Sequence, residues 1–241
     1  MRKELHGQVA LVTGGSKGIG LAVAQALVAH GVNVVITARG ERSLADATSR
    51  LAAAGPGQTL ALPVDVRNHG AVVSAVAQTV DRFGGLDIVI NNAGAGIFAS
   101  VADMTPAQWS EIIDTNLTGV FNVCHAALPE LRKRGGGYIF NISSLAGKNA
   151  FVGAGAYCAS KAGLNQFAEV LNQEVRHDNI KVTTIAPGSV ATSFAGGDET
   201  KGAEWKTASS DLGDIVVDLL QMDTRSLLSY VELRPSKPPK K

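Results

Sequence analysis

The sequence predicts a doubly wound α/β fold, a parallel sheet of about seven strands with helices on both faces, in a single domain. Three observations lead there. Short β-branched runs alternate with longer helical stretches along the chain. Several of the runs, such as Val9-Ala10-Leu11-Val12 and Val34-Val35-Ile36, are apolar at consecutive positions, as expected for strands covered on both sides. A glycine-rich turn also follows the first run directly.

The strands are expected at 9–13, 32–38, 59–64, 88–91, 137–142, 181–186 and 227–233. Each is a β-branched or aromatic run bounded by turn residues. Amphipathic or alanine-rich segments of helical length lie between them at 19–30, 42–54, 71–82, 106–132 and 156–177. The domain is expected to span 1–233. The tail 234–241 carries three prolines and four cations, which cannot pack a core, and is expected to be frayed.

With 241 residues the chain can bury a large core, and 45% hydrophobic against 18% charged residues is a globular composition. A net charge of +1 offers no footprint for nucleic acid or an anionic membrane. No run approaches the ~18 apolar residues of a membrane span. The start, Met1-Arg2-Lys3-Glu4-Leu5-His6, is charged, and no signal peptide is expected. Cys124 and Cys158 show neither metal nor disulfide spacing, so two reduced thiols in a cytoplasmic protein are expected. The five histidines are scattered without ligand spacing; they are read as structural or exposed, and no catalytic metal is expected.

The turn reads Thr13-Gly14-Gly15-Ser16-Lys17-Gly18-Ile19-Gly20. Glycines let the backbone approach a pyrophosphate, and free N–H groups at a helix start bind its oxygens. The spacing is GxxxGxG, and no GK[ST] ends it, so it is not a nucleoside-triphosphate loop. An acidic residue ~20 positions beyond such a loop would hold the ribose hydroxyls of NAD. Here the second strand ends Thr37-Ala38-Arg39-Gly40 instead. The planar fork of Arg39, with Lys17 in the loop, suits a 2′-phosphate, so NADP(H) is the expected cofactor and NAD(H) the lesser alternative.

Tyr157 and Lys161 stand four apart in a helical segment, hence on one face. An ammonium beside a phenol stabilises the phenolate and brings a pKa of ~10 closer to neutrality. Thirteen residues earlier, Ser144 ends the fifth strand, where a hydroxyl faces the ligand crevice and can bind an oxygen that gains negative charge.

Taken together these residues resemble the short-chain dehydrogenase/reductase family in its compact form, with its Rossmann-type sheet. The resemblance runs from the glycine loop to Thr192. It is carried by that loop, by Asn91-Asn92-Ala93-Gly94, by Asn116-Leu117-Thr118-Gly119, by Asn141-Ile142-Ser143-Ser144, by the YxxxK pair Tyr157 and Lys161, and by Pro187-Gly188. It implies hydride transfer between a nicotinamide and a carbonyl carbon, with Tyr157 as proton donor and Ser144, preferred to Ser143, polarising the carbonyl. Lys161 would bind the nicotinamide ribose and lower the Tyr157 pKa. Asn116, in a helix kink, would hold a water linking Lys161 to solvent. Cofactor contacts implied are Gly14, Ser16, Lys17, Gly18, Ile19 and Gly20 in the loop, and Arg39 after the second strand. Asp65 and Val66 would lie at the adenine, Asn91, Ala93 and Gly94 at the adenosine ribose, and Pro187, Val190 and Thr192 at the carboxamide.

A flexible substrate lid is expected at 193–209, where Phe194 and Trp205 lack an obvious core partner. With Ala95, Gly96, Ile97, Leu145, Phe151 and Val152 they suggest an apolar pocket for a neutral carbonyl or alcohol. Relatives often carry a glycine-rich C-terminal turn that this chain lacks, which opens the choice between homodimer and homotetramer. The expected activity is NADPH-dependent interconversion of a ketone and a secondary alcohol, with a 3-oxoacyl thioester reductase and a broad carbonyl reductase as candidates. A non-catalytic dinucleotide sensor or a sugar-nucleotide epimerase fits less well, since the catalytic pair is present and the chain is compact.

Overall fold

A computed structural model describes residues 4–239. The strands β1 (Val9–Thr13), β2 (Asn33–Ala38), β3 (Thr59–Pro63), β4 (Ile88–Asn91), β5 (Gly137–Ile142), β6 (Ile180–Pro187) and β7 (Tyr230–Leu233) form one sheet in the order β3-β2-β1-β4-β5-β6-β7. Every neighbouring pair is parallel. The chain winds outward from β1 to β3, then returns to lay β4 on the other side of β1. That reversal opens a crevice at the carboxyl ends of β1 and β4.

Successive strand residues point to opposite faces, and each face has its own core. Ala10, Val12, Val34, Ile36, Ile88, Ile90 and Phe140 pack against α1 (Gly18–Ala29), α2 (Glu41–Ala52) and α7 (Ser209–Leu220). Leu11, Val35, Val89 and Ile139 pack against α3 (His69–Phe83), α5 (Gly119–Lys133) and α6 (Gly155–Val175). The alternation explains why the strands read as unbroken apolar runs.

The 106–132 helix differs from expectation. Its first piece is α4 (Pro106–Ile113), which starts on a capping box in which Thr105 Oγ1 accepts from Gln108 N–H and Gln108 Oε1 accepts from Thr105 N–H. A π-turn at Asp114–Thr118 then separates it from α5. The extra residue in that wide turn shifts the helical register, and Asn116 lies inside it. Helix α7 was not foreseen. It follows a glycine-rich stretch, but the Asp211 carboxylate accepts from Ala208 N–H at its start and its apolar face lies on α1. Strand β7 is also shorter than the expected 227–233, because pairing with β6 begins only at Tyr230.

Among the described residues no helix is long and apolar enough to cross a membrane, and Cys124 and Cys158 are free thiols. Arg234 pairs with Glu232 at the start of the tail, and Pro235 lies against Gly188. The expectations for residues 1–3 and 240–241 fall outside the described residues.

Candidate active site

The carboxyl ends of β1, β2, β4, β5 and β6 surround a cleft of about 650 Å³. The turn between β1 and α1 forms one wall. Gly14 and Gly18 have φ of 63° and 54°, a conformation side chains disfavour. A Cβ on Gly14 would also lie 2.9 Å from the Ala93 backbone. Ser16, Lys17, Gly18 and Ile19 line the cleft, with Arg39 and Ser43 beyond β2. The Thr37 hydroxyl oxygen also lies in this wall, buried and without a hydrogen-bond partner. A buried hydroxyl in that state is costly unless a ligand completes it, and a polar nucleotide would do so.

Across from the loop, Asp65 and Val66 follow β3. The Arg67 guanidinium grips the Asp65 carboxylate at 2.6–3.0 Å. It holds Asp65 below the usual carboxylate range against the opposing effect of burial, and the charge of Arg39 adds to it. This end is ionic and open, and the charges of Lys17 and Arg39 suit an anion.

The other end is buried. Tyr157 and Lys161, from one face of α6, and Ser144, just past β5, meet in the cleft. Lys161 is only 5% exposed, and its Nζ donates to the Ile142 carbonyl at 2.9 Å. With one neutral acceptor for a buried ammonium, desolvation lowers its pKa to about 8. Burial pushes the Tyr157 phenol up from its ordinary value, a hydrogen bond with Ser144 acts the other way, and Cys158 adds a small upward push. The expected lowering of Tyr157 by Lys161 is therefore not the dominant effect in the protein alone, because the phenol is buried and Lys161 is itself desolvated. Ser143 is buried and its hydroxyl donates to Asn165 Oδ1 at 2.6 Å, whereas Ser144 accepts from Ala146 N–H and contacts Tyr157.

A match to the short-chain dehydrogenase model covers residues 8–202. The chain belongs to the short-chain dehydrogenase family. It is 32% identical over 232 residues to an uncharacterised oxidoreductase of Staphylococcus saprophyticus, covering 96% of this chain and 99% of that protein. It is 37% identical over 202 residues to a 3-oxoacyl-[acyl-carrier-protein] reductase of Chlamydia muridarum, covering 84% and 79%. A metagenomic short-chain oxidoreductase solved in complex with NADP superposes with a TM-score of 0.85 at 33% identity, covering 98% of this chain and all of that one.

In this short-chain dehydrogenase, most residues singled out from the sequence reach the cleft, including Ala93, Gly94, Pro187, Val190 and Thr192. Asn91 does not. As the last residue of β4 it turns to the α5 side of the sheet, where its Nδ2 donates to Asn141 Oδ1 at 2.9 Å and to the Cys124 sulfur. That cysteine is fully buried and its pKa is pushed up to about 12. The next residue, Asn92, lines the cleft and its Nδ2 donates to the Thr13 and Gly14 carbonyls. Strand alternation carries the signal that distinguishes the two, once the helices on each face are known. Gly20 is likewise behind the wall, where a Cβ would lie 2.4 Å from Asn92 Nδ2 and the Gly14 carbonyl. It allows α1 to close on β1.

Asn116 is fully buried. Its Nδ2 donates to the Ala95 carbonyl and to Ser160 Oγ, both at 3.0 Å, and its Oδ1 accepts from Ala95 N–H at 2.8 Å. Its side chain ties the loop after β4 to α6, one residue from Lys161. Thr37, Ser43 and Thr115, which the sequence reading passed over, also line the cleft. Thr37 lies two residues before Arg39, so a strand's period puts both on one face.

The segment 193–209, expected to be a lid, is tied where its two ends meet. Ala191 N–H donates to the Thr207 carbonyl at 3.0 Å and Thr207 N–H to the Ser189 carbonyl at 3.1 Å. Phe194 finds a partner that the sequence did not show, the Tyr157 ring at 5.7 Å. The histidines are less scattered than expected. His69 Nε2 and His125 Nδ1 lie 3.1 Å apart on the outer face of α3 and α5, away from the cleft. Among the described residues no group of three metal-ligating side chains forms.

Proposed function

We propose that this enzyme is an NADPH-dependent reductase that interconverts a ketone and a secondary alcohol. The observation that carries the reading is the meeting of Tyr157, Ser144 and Lys161 in the same cleft as the glycine loop. The loop, the unpartnered Thr37 hydroxyl and the Arg39–Lys17 end fit a phosphorylated dinucleotide. When bound, NADPH supplies the hydride. Tyr157 gives its phenolic proton to the carbonyl oxygen, and the Ser144 hydroxyl donates a hydrogen bond to that oxygen as negative charge builds. Lys161 holds the nicotinamide ribose and, as an ammonium, stabilises the Tyr157 phenolate until it regains a proton. Asn116 positions α6 through Ser160. Ser16, Gly18 and Ile19 receive the pyrophosphate, and Pro187, Val190 and Thr192 the carboxamide. Reduction of 3-oxoacyl thioesters is one form of this activity, supported by the likeness to the Chlamydia enzyme. Broad carbonyl reduction is the other. The reading places the enzyme in the cytoplasm, as a dimer or tetramer.

The test is a panel of ketones followed by NADPH absorbance. Tyr157→Phe is expected to lower kcat by about 10²–10⁴; retention of most activity overturns the proton-donor role. Arg39→Asp is expected to lower the NADPH-to-NADH ratio of kcat/KM by about tenfold or more. A wild-type preference for NADH would reject the cofactor assignment.

A further inference from the structure

Three half-exposed phenylalanines from three separate loops gather around Tyr157, Phe98 and Phe194 against its ring and Phe151 against Phe98. Phe98 follows β4, Phe151 follows β5 and Phe194 starts the lid after β6. Ring centroids lie 5.9 Å apart for Phe98 and Phe151, 5.7 Å for Phe98 and Tyr157, and 5.7 Å for Tyr157 and Phe194. The result is one continuous aromatic strip, with Tyr157 inside it. Phe98 meets Tyr157 edge-on at 73°, a favoured geometry for aromatic pairs.

The strip is held in place. Ala99 N–H donates to the Gly153 carbonyl at 2.9 Å, and Ala99 and Ala154 form a bridge that fixes Phe98 beside Phe151. Gly96 seats Phe194, since a Cβ there would lie 2.7 Å from its ring. Yet the three phenylalanines stay 48%, 52% and 40% exposed. Tyr157 and Phe194 line the cleft and Phe98 and Phe151 continue the strip beyond its lining; a contiguous apolar surface beside a cleft marks a site for an apolar group.

Charge agrees. The ionisable side chains lining the cleft, apart from Tyr157, are Lys17, Arg39, Asp65, Lys161 and Lys206. The first three belong to the dinucleotide end. Lys161 is buried on the Ile142 carbonyl, and Lys206 is bonded to the lid carbonyl of Lys201. None of these lining groups is left to receive a substrate carboxylate or phosphate beside Tyr157 and Phe194.

Resting on the reductase reading, we infer that the substrate is a neutral ketone carrying an aromatic ring next to its carbonyl. The ring lies on Phe98 and Phe151, and the carbonyl oxygen faces Tyr157 and Ser144. Phe194 closes the other side. Reduction adds hydride from NADPH to the carbon and the Tyr157 proton to the oxygen, giving the aryl carbinol and NADP⁺.

The test compares kcat/KM with NADPH for acetophenone, butanone, pyruvate and the 3-oxobutanoyl thioester of N-acetylcysteamine. The expected preference for acetophenone over butanone is about tenfold or more. Phe98→Ala and Phe151→Ala should each cut that ratio severalfold, mainly through KM. Gly96→Ala, which displaces Phe194, should alter the ratio without touching either ring. Equal rates for acetophenone and butanone, a preference for pyruvate or the thioester, or ratios unmoved by both alanine variants would overturn the inference. If no ketone is reduced, the reductase reading has failed, and binding decides the strip separately. Saturation-transfer NMR on acetophenone with the NADP⁺-loaded protein should then show phenyl signals that both alanine variants weaken. Their absence from the wild type overturns the strip as well.

Discussion

At the scale of single residues, the site sets opposite demands on two neighbours. Tyr157 and Lys161 share one helix face and one buried environment, and burial penalises the charged form of each. It moves the phenol up and the ammonium down, to about 8. For Lys161 this has a consequence for stability. An unfolded lysine titrates near ~10.4. Between pH 8 and 10.4 the unfolded chain therefore holds a proton that the folded chain has released, and raising the pH favours folding. Chemical denaturation of the wild type and of Lys161→Met across this window should show their stability difference moving in favour of the wild type by up to about 3 kcal/mol. A constant difference would show that Lys161 is not desolvated. The residue pattern made Tyr157, Ser144 and Lys161 visible because each stands at a fixed interval in the chain. The strand 88–91 was read with its true end, but the turn of Asn91 away from the cleft was not visible, since it depends on which helices pack on each face of the sheet.

At the scale of elements, the helices facing the site are shaped by contacts rather than propensity. The π-turn at Asp114–Thr118 buries Asn116 between Ala95 and Ser160, and no periodicity announces such an insertion. Helix α7 was missed for a related reason. Its apolar face is short and interrupted by Gly213, and that glycine is needed where α7 meets α1. A Cβ there would lie 2.9 Å from the Ala26 Cβ and 3.0 Å from the Ala22 carbonyl. Gly213→Val is expected to cost about 1–3 kcal/mol through overpacking, read as a lowered denaturant midpoint. Unchanged stability would mean that the α1–α7 contact can relax.

For the whole molecule, the seven-stranded parallel sheet separates two cores, one on each face, and the cleft lies at the carboxyl edge of the sheet. Walls from both halves of the sheet would close on one dinucleotide, so binding should stabilise the fold as a unit. At a free NADPH concentration one hundred times Kd, the gain is expected to be about 2.7 kcal/mol, seen as a single shifted transition in calorimetry. A ligand-independent Tm would contradict cofactor binding in this cleft. NADH at equal concentration should give a smaller shift, in keeping with Arg39 and Lys17.

By itself the sequence determined the strand order in the chain, the two-faced burial of the sheet, the glycine turn and the Tyr157–Ser144–Lys161 set. These follow from local periodicity and spacing, which survive in one dimension. Only the tertiary structure decided the burial that shifts Tyr157 and Lys161, the seating of Asn116 in a wide turn and the pairing of His69 with His125. It alone brought Phe98, Phe151 and Phe194 into one strip with Tyr157, from loop positions at least 43 residues apart in sequence. Desolvation and packing depend on which distant segments exclude water from a side chain, and that is a property of the assembled sheet.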